Sequence, residues 1–259
     1  MIVNADDFNL TNGVSKGILE AHDSGIVTST SALINLPIPK SILAEVLKRK
    51  SLGVGLHLNI TLGSPLTAKA TIHSLLNPDG FFKKRHDLNF KKISAAELHL
   101  EYQAQIERFK EIFRRLPTHL DTHHHLHEGQ KVFDVLARLA IHYHIPLRRS
   151  SRCGSRIRKI FSSKRIRLAD YLWEDLDSRK AWTQKSLAET ILSMKSGFHE
   201  LMCHPGRCDG VLMKKSSFNR LRERELKALC SQKIKRTVKS KEICLINFAE
   251  LQQKMLKLN

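Results

Sequence analysis

Residues 52–63, LGVGLHLNITLG, place Val54, Leu56, Leu58 and Ile60 on one parity and Gly55, His57 and Asn59 on the other. That two-residue period is the signature of a β-strand. Its flanks set the fold class. PKSILAEVLKRK (39–50) has apolar residues at 42, 43, 46 and 47, a helical spacing. Before it, IVTSTSALINLP (26–37) predicts a strand rich in β-branched residues and stopped by Pro37. LTNGVSKGILEAHDSG predicts a helix over 11–23 closed by Gly25, and MIVNAD (1–6) a short buried strand. After the opening strand, residues 64–90 read as a long loop with short helical pieces. SAAELHLEYQAQIERFKEIFRR (94–115) predicts a helix ended by Pro117, and THLDTHH (118–124) a strand. The remainder predicts a helix over 130–144, a short strand at 145–151 and a helix over 179–197. It continues with a strand over 197–206, a helix over 220–232 and a last strand over 243–251. Strands alternate with helices throughout, which implies an α/β fold with a mostly parallel sheet, open or closed into a barrel. No repeat or linker divides the 259 residues, so one domain over 1–259 is expected.

Composition narrows the classes. Hydrophobic residues make up 41% of the chain, a globular proportion, and no window reaches the length of a membrane span. The start lacks a basic stretch followed by an apolar one, so no secretory signal is read. Five cysteines outside any CxxC pair are expected to be free thiols in a reducing cytoplasm, with attachment to a membrane periphery left open. The formal charge of +19 is unusual for a metabolic enzyme and favours anionic partners. Residues 147–168, LRRSSRCGSRIRKIFSSKRIRL, hold nine Lys or Arg and no acid. This segment is expected to be a solvated basic insertion that could meet an anionic membrane surface or an acidic glycan. Phe161 is the sole aromatic among those cations, so nucleic acid is disfavoured.

Sites in parallel α/β folds form at the carboxyl ends of strands. The first strand ends in Asp6 and Asp7, the opening strand carries His57, and the strand at 197–206 carries His204. PTHLDTHHHLH (117–127) contributes five histidines and an aspartate. One Asp and two His around a divalent ion, magnesium or zinc, leave coordination positions open, as a catalytic site needs. A second carboxylate could take a proton from water and a further histidine could donate one to the leaving group. If extension persists through the cluster, Asp121, His123, His125 and His127 share one side and His124 the other. They cannot all ligate one ion, so most are expected to support ligands or contact substrate.

Five motifs in order, NADDF (4–8), TSTSALIN (28–35), GLHLNITLGSPL (55–66), PTHLDTHHHLH (117–127) and ELMCHPG (200–206), resemble the YdjC-like carbohydrate deacetylases. The resemblance covers residues 1 to about 206 and is looser beyond. It implies a distorted β/α barrel of mostly parallel strands, similar to the polysaccharide-deacetylase superfamily. It also implies metal-dependent removal of an acetyl group from an N-acetylated amino sugar. By position, Asp7, His57 and His123 would be metal ligands, Asp6 the general base and His204 the general acid. Asn59, Asp121, His125 and His127 are expected to contact substrate. Where the family usually has glycine after NADDF, this chain has Asn9, the next residue most tolerant of left-handed backbone. The rival reading is a non-catalytic or phosphoesterase-like member that binds anionic surfaces through its basic face. A homodimer is compatible with the sequence but has no pattern of its own.

Overall fold

The computed structural model describes residues 1–174 and 181–257. Six strands lie in the order β4-β3-β2-β1-β6-β5, and every strand pairing described is parallel. The chain divides into two compact units. The first comprises Met1–Ala32, Ile38–Val54 and Ala169–Leu251, and the second comprises Leu33–Pro37, Gly55–Leu168 and Gln252–Asn259.

In the first unit, β1 (Ile2–Phe8) is buried along its whole length. It pairs with β2 (Ser29–Ala32) on one side and β6 (His199–Cys203) on the other, and β6 pairs with β5 (Tyr171–Trp173). Helix α1 (Asn12–Asp23) starts where Thr11 Oγ1 accepts from the Val14 amide at 3.2 Å. A Cβ on Gly17 would stand 2.5 Å from Gly206 Cα, so glycine is what lets this helix lie against the segment after β6. The unit is completed by α2 (Lys40–Lys48), α6 (Gln184–Ser193), α7 (Gly210–Lys215), α8 (Leu221–Leu229) and α9 (Gln232–Ser240).

In the second unit, β3 (Gly53–Leu58, entering from Gly55) pairs with β4 (Leu120–Thr122) in a register that sets His57 beside Asp121. Helices α3 (Ala95–Phe113), α4 (Gln130–Tyr143) and α5 (Ser155–Ser163) follow in chain order. α10 (Phe248–Lys257) starts in the first unit and ends in the second. Both parities of β3 are buried, so the alternation in LGVGLHLNITLG marks two covered faces rather than an inside and an outside. That is how a parallel strand packed on both faces behaves. The loop after β3 contains three single 3₁₀ turns, at 69–71, 73–75 and 85–87, as the sequence suggested.

Several expectations are corrected. Residues 145–151 form no strand beyond an isolated bridge from Leu147 to Leu120. The stretch 243–251 is not a strand: it leads into α10, where Phe248 and Leu251 pack with Ile2 and Ile246 in a buried cluster. Strand β2 is confined to Ser29–Ala32, well inside the expected 26–37. The expected helix over 179–197 is observed as Gln184–Ser193, and its first two positions lie outside the described residues. Short elements β5, α7 and α9 were not anticipated. The basic segment is not uniformly solvated, because Arg148 is wholly buried. The α/β class with parallel strands holds. Among the described residues no helix is long and apolar enough to cross a membrane, and all five cysteines are free.

Candidate active site

In the first unit the register of β1 against β6 pairs Ala5 with Cys203, so Asp6, still inside β1, lies level with His204, the first residue after β6. The pairing of β1 with β2 is irregular between Ala5 and Phe8. There Asp7 and Asn9 take left-handed backbone, with φ of 71° and 74°. Asn9 is thus left-handed, a backbone that asparagine sustains. A left-handed aspartate costs on the order of 1–3 kcal/mol and persists only where its surroundings hold it. Arg222 of α8 supplies that hold, donating to Asp7 Oδ2 at 2.6 Å with both side chains buried. Asp6 Oδ1 accepts from Asn4 Nδ2 at 2.8 Å and from Ser31 Oγ at 3.4 Å. The His204 ring meets Phe218 edge-on at 5.5 Å, and Phe218 also lies under the Arg222 guanidinium.

The second unit holds a buried cluster of imidazoles and carboxylate. His57 Nδ1 donates to Asp121 Oδ1 at 2.7 Å, and Arg148 contacts Asp121 Oδ2 at 3.0 Å. With Nδ1 carrying that hydrogen, Nε2 of His57 is the nitrogen that bears the lone pair. His123 is buried next to it, with ring centroids 5.2 Å apart and planes at 69°. His119 lies over Gly55, where a Cβ would come within 2.2 Å of its ring. Strand β4 ends at Thr122, and His124 and His125 then take φ of 58° and 53°. Extension therefore does not persist, and the expected parity of the histidines is lost. His127 turns inward: Thr122 Oγ1 accepts from its backbone amide at 3.0 Å and shares a hydrogen bond with its Nδ1 at 2.6 Å. Burial chiefly, with the nearby Arg148 cation, pushes its pKa down to about 3, so His127 is a neutral ring at ordinary pH.

The residues expected to meet substrate are placed unequally. Asn59 is wholly buried, and its side chain donates to Asn35 and to the Leu62 carbonyl and accepts from Thr61. It shapes its own loop. Asp121 and His127 are likewise buried. His125 is half-buried. The sequence reading missed Arg148, Arg222 and Glu225, all buried. Their signal was faint: each lies in a stretch crowded with other charges, where a buried member looks like its solvated neighbours.

A parallel α/β sheet with carboxylates and imidazoles at its strand ends defines a class, and comparison places it. The fold is shared with a family 4 carbohydrate esterase from Streptomyces lividans, with a TM-score of 0.52 at 12% identity over 95% of this chain and 90% of that one. More similar is a solved Enterococcus faecalis protein provisionally assigned to cellobiose-phosphate cleavage, at 30% identity and a TM-score of 0.86 over 96% of this chain and 97% of that one. The model of the family described as YdjC-like protein matches residues 1–240, and the chain belongs to that family. A Clostridium beijerinckii relative named carbohydrate deacetylase is 31% identical over 97% of this chain and 99% of its own length. A relative of the same name from Halalkalibacterium halodurans is 35% identical over 87% of this chain and 94% of its own length.

Proposed function

We propose that the chain is a metal-dependent hydrolase that removes the acetyl group from an N-acetylated amino sugar. Family membership and relatives named carbohydrate deacetylase support the reaction class. The observation that carries the metal assignment is the His57–Asp121 bond, because a carboxylate on Nδ1 fixes the ring and tautomer with which Nε2 would hold a cation. The proposed ligand set is Asp7, His57 and His123. Asp121 is disfavoured as a ligand because it already spends its oxygens on His57 and Arg148. One carboxylate and two imidazoles suit several divalent ions, magnesium and zinc among them.

A bound divalent ion supplies charge that polarises the acetyl carbonyl and acidifies water. The chain's own groups do the rest. Asp6, its Oδ1 held by Asn4 and Ser31, takes the proton of the attacking water. His204 gives a proton to the sugar nitrogen, which otherwise leaves poorly. Asp121 and Arg148 orient His57, and Arg222 anchors Asp7. His125, half-buried beside the cluster, contacts the sugar. The exposed cations of 147–168 draw an acidic glycan or an anionic surface, an attraction that added salt should weaken.

The test is an acetate-release screen over N-acetylated mono- and oligosaccharides, with and without chelator, with phosphate release measured in parallel. Acetate release that chelation abolishes and a divalent ion restores is the expected outcome. Phosphate release alone, or acetate release indifferent to chelation, refutes the proposal. Substituting His57 or His123 with alanine should lower metal content, and substituting Asp6 or His204 should lower kcat with metal retained.

A further inference from the structure

Helix α8 carries two buried charged residues one turn apart, Arg222 and Glu225, and a third of the same kind is absent from its outer face, where Glu223, Arg224 and Lys227 are exposed. Arg222 reaches Asp7. Glu225 does something different. Its Oε2 accepts from the backbone amide of His204 at 2.5 Å, and its Oε1 from the backbone amide of Trp182 at 3.3 Å. The Trp182 indole in turn donates to the Met202 carbonyl at 2.9 Å, inside β6. A buried carboxylate accepting two backbone amides is a strong and rigid fastening, since hydrogen bonds to a charged acceptor are about twice as strong as neutral ones.

The fastened residue is the first after β6, where the chain leaves the sheet through His204, Pro205 and Gly206. Gly206 donates to the Arg222 carbonyl at 3.2 Å, again on α8, and Phe218 just ahead of α8 packs against the His204 ring. Backbone amide, following turn and ring of His204 thus each meet α8 or the residues that lead into it.

We propose that Glu225 is a positioning residue for His204: by clamping the His204 amide it fixes the direction in which the imidazole delivers its proton to the departing nitrogen. This rests on the reading of His204 as the general acid. A positioned acid matters in proportion to the basicity of the leaving group. An amine must be protonated to depart, whereas a nitrophenolate departs without help. Displacement of a catalytic group by about an ångström can cost roughly a hundredfold in rate.

The experiment uses the full-length enzyme and its Glu225→Gln, Glu225→Ala and His204→Asn variants. Turnover is measured on an N-acetylated chitooligosaccharide and on 4-nitrophenyl acetate, alongside thermal melting and hydrogen exchange of the peptide containing His204. The ratio of amide to aryl-ester kcat should fall about tenfold in Glu225→Gln, which keeps one acceptor, and about a hundredfold in Glu225→Ala, with KM for the amide little changed. Exchange at His204 should quicken in the same order. Equal losses on both substrates would assign Glu225 a purely structural role, and an unchanged ratio or unchanged exchange would overturn the clamp. His204→Asn separates the two hypotheses. If it shifts the ratio and the Glu225 variants do not, the clamp fails alone. If it leaves the ratio unchanged, the acid assignment fails and takes the clamp with it. Should Glu225→Ala not fold, Glu225→Gln and the exchange measurement still decide.

Discussion

Two buried aspartates each meet a buried arginine, and they are built differently. Asp7, in the first unit, has Oδ2 anchored by Arg222 at 2.6 Å and sits on left-handed backbone. Asp121, in the second, spends one oxygen on Arg148 at 3.0 Å and the other on His57 at 2.7 Å, on regular strand backbone. A carboxylate engaged at both oxygens by its own fold can only orient its neighbours. A carboxylate on left-handed backbone within its strand is aimed by that backbone as well as by its arginine. Under the proposed function the same kind of ion pair would serve positioning in one place and presentation in the other.

The comparison is most severely tested by Asp121→Ala, which strands Arg148 as an uncompensated buried cation. It should cost about 3–5 kcal/mol of unfolding free energy in urea titrations. A loss below about 1 kcal/mol would mean that Arg148 is compensated elsewhere and that the contrast is false. The milder Asp121→Asn keeps the shape and weakens the hold on His57. It should lower divalent-ion affinity about 10- to 100-fold with binding stoichiometry unchanged, by calorimetric titration. Asp7→Asn should instead abolish tight binding, because it alters a proposed ligand directly. Identical behaviour of the two asparagine variants would erase the distinction between orienting and presenting.

A third test exploits the neighbour of Arg148. His127 is held neutral by burial, with a pKa of about 3 against 6.5 in the unfolded chain. Between those values the unfolded state binds more protons. The stability that neutral His127 contributes is complete above pH 6.5 and is lost as pH falls toward 3. Melting temperature followed from pH 7 to 4 should fall, and His127→Asn should flatten that slope. The smallest effect is expected where the same ion pair is exposed. Arg49 grips Asp23 through two nitrogens at 2.8 and 2.6 Å. Solvent screens the pair, so Asp23→Asn should cost about 0.2–1 kcal/mol, less as salt rises.

Much of this was legible in the residues. The alternation at 52–63, the amphipathic helices before and after it, and Pro117 and Gly25 as terminators follow local rules of period and capping, and the parallel α/β class follows from their order. So does the left-handed turn at Asn9, since glycine and asparagine share a tolerance that other residues lack. His57, His204, the Asp pair and the histidine cluster of 117–127 stood out because imidazoles and carboxylates at strand ends are rare enough to be noticed, whereas the choice of His123 within the cluster came from the family resemblance. Local rules failed where a short segment owed its conformation to distant contacts. The apolar run at 243–247 has strand propensity yet serves as the lead-in to α10, and the strand at 118–124 is cut at Thr122 by two consecutive left-handed histidines.

What the sequence determined by itself is the class of fold and the list of groups able to do chemistry, because period, capping and side-chain type are properties of neighbours in the chain. What the tertiary structure alone decided is which charges are withdrawn from water to hold those groups. Arg148, Arg222 and Glu225 lie among exposed charged residues that look no different in sequence, and burial is a property of packing that a charge pattern does not encode.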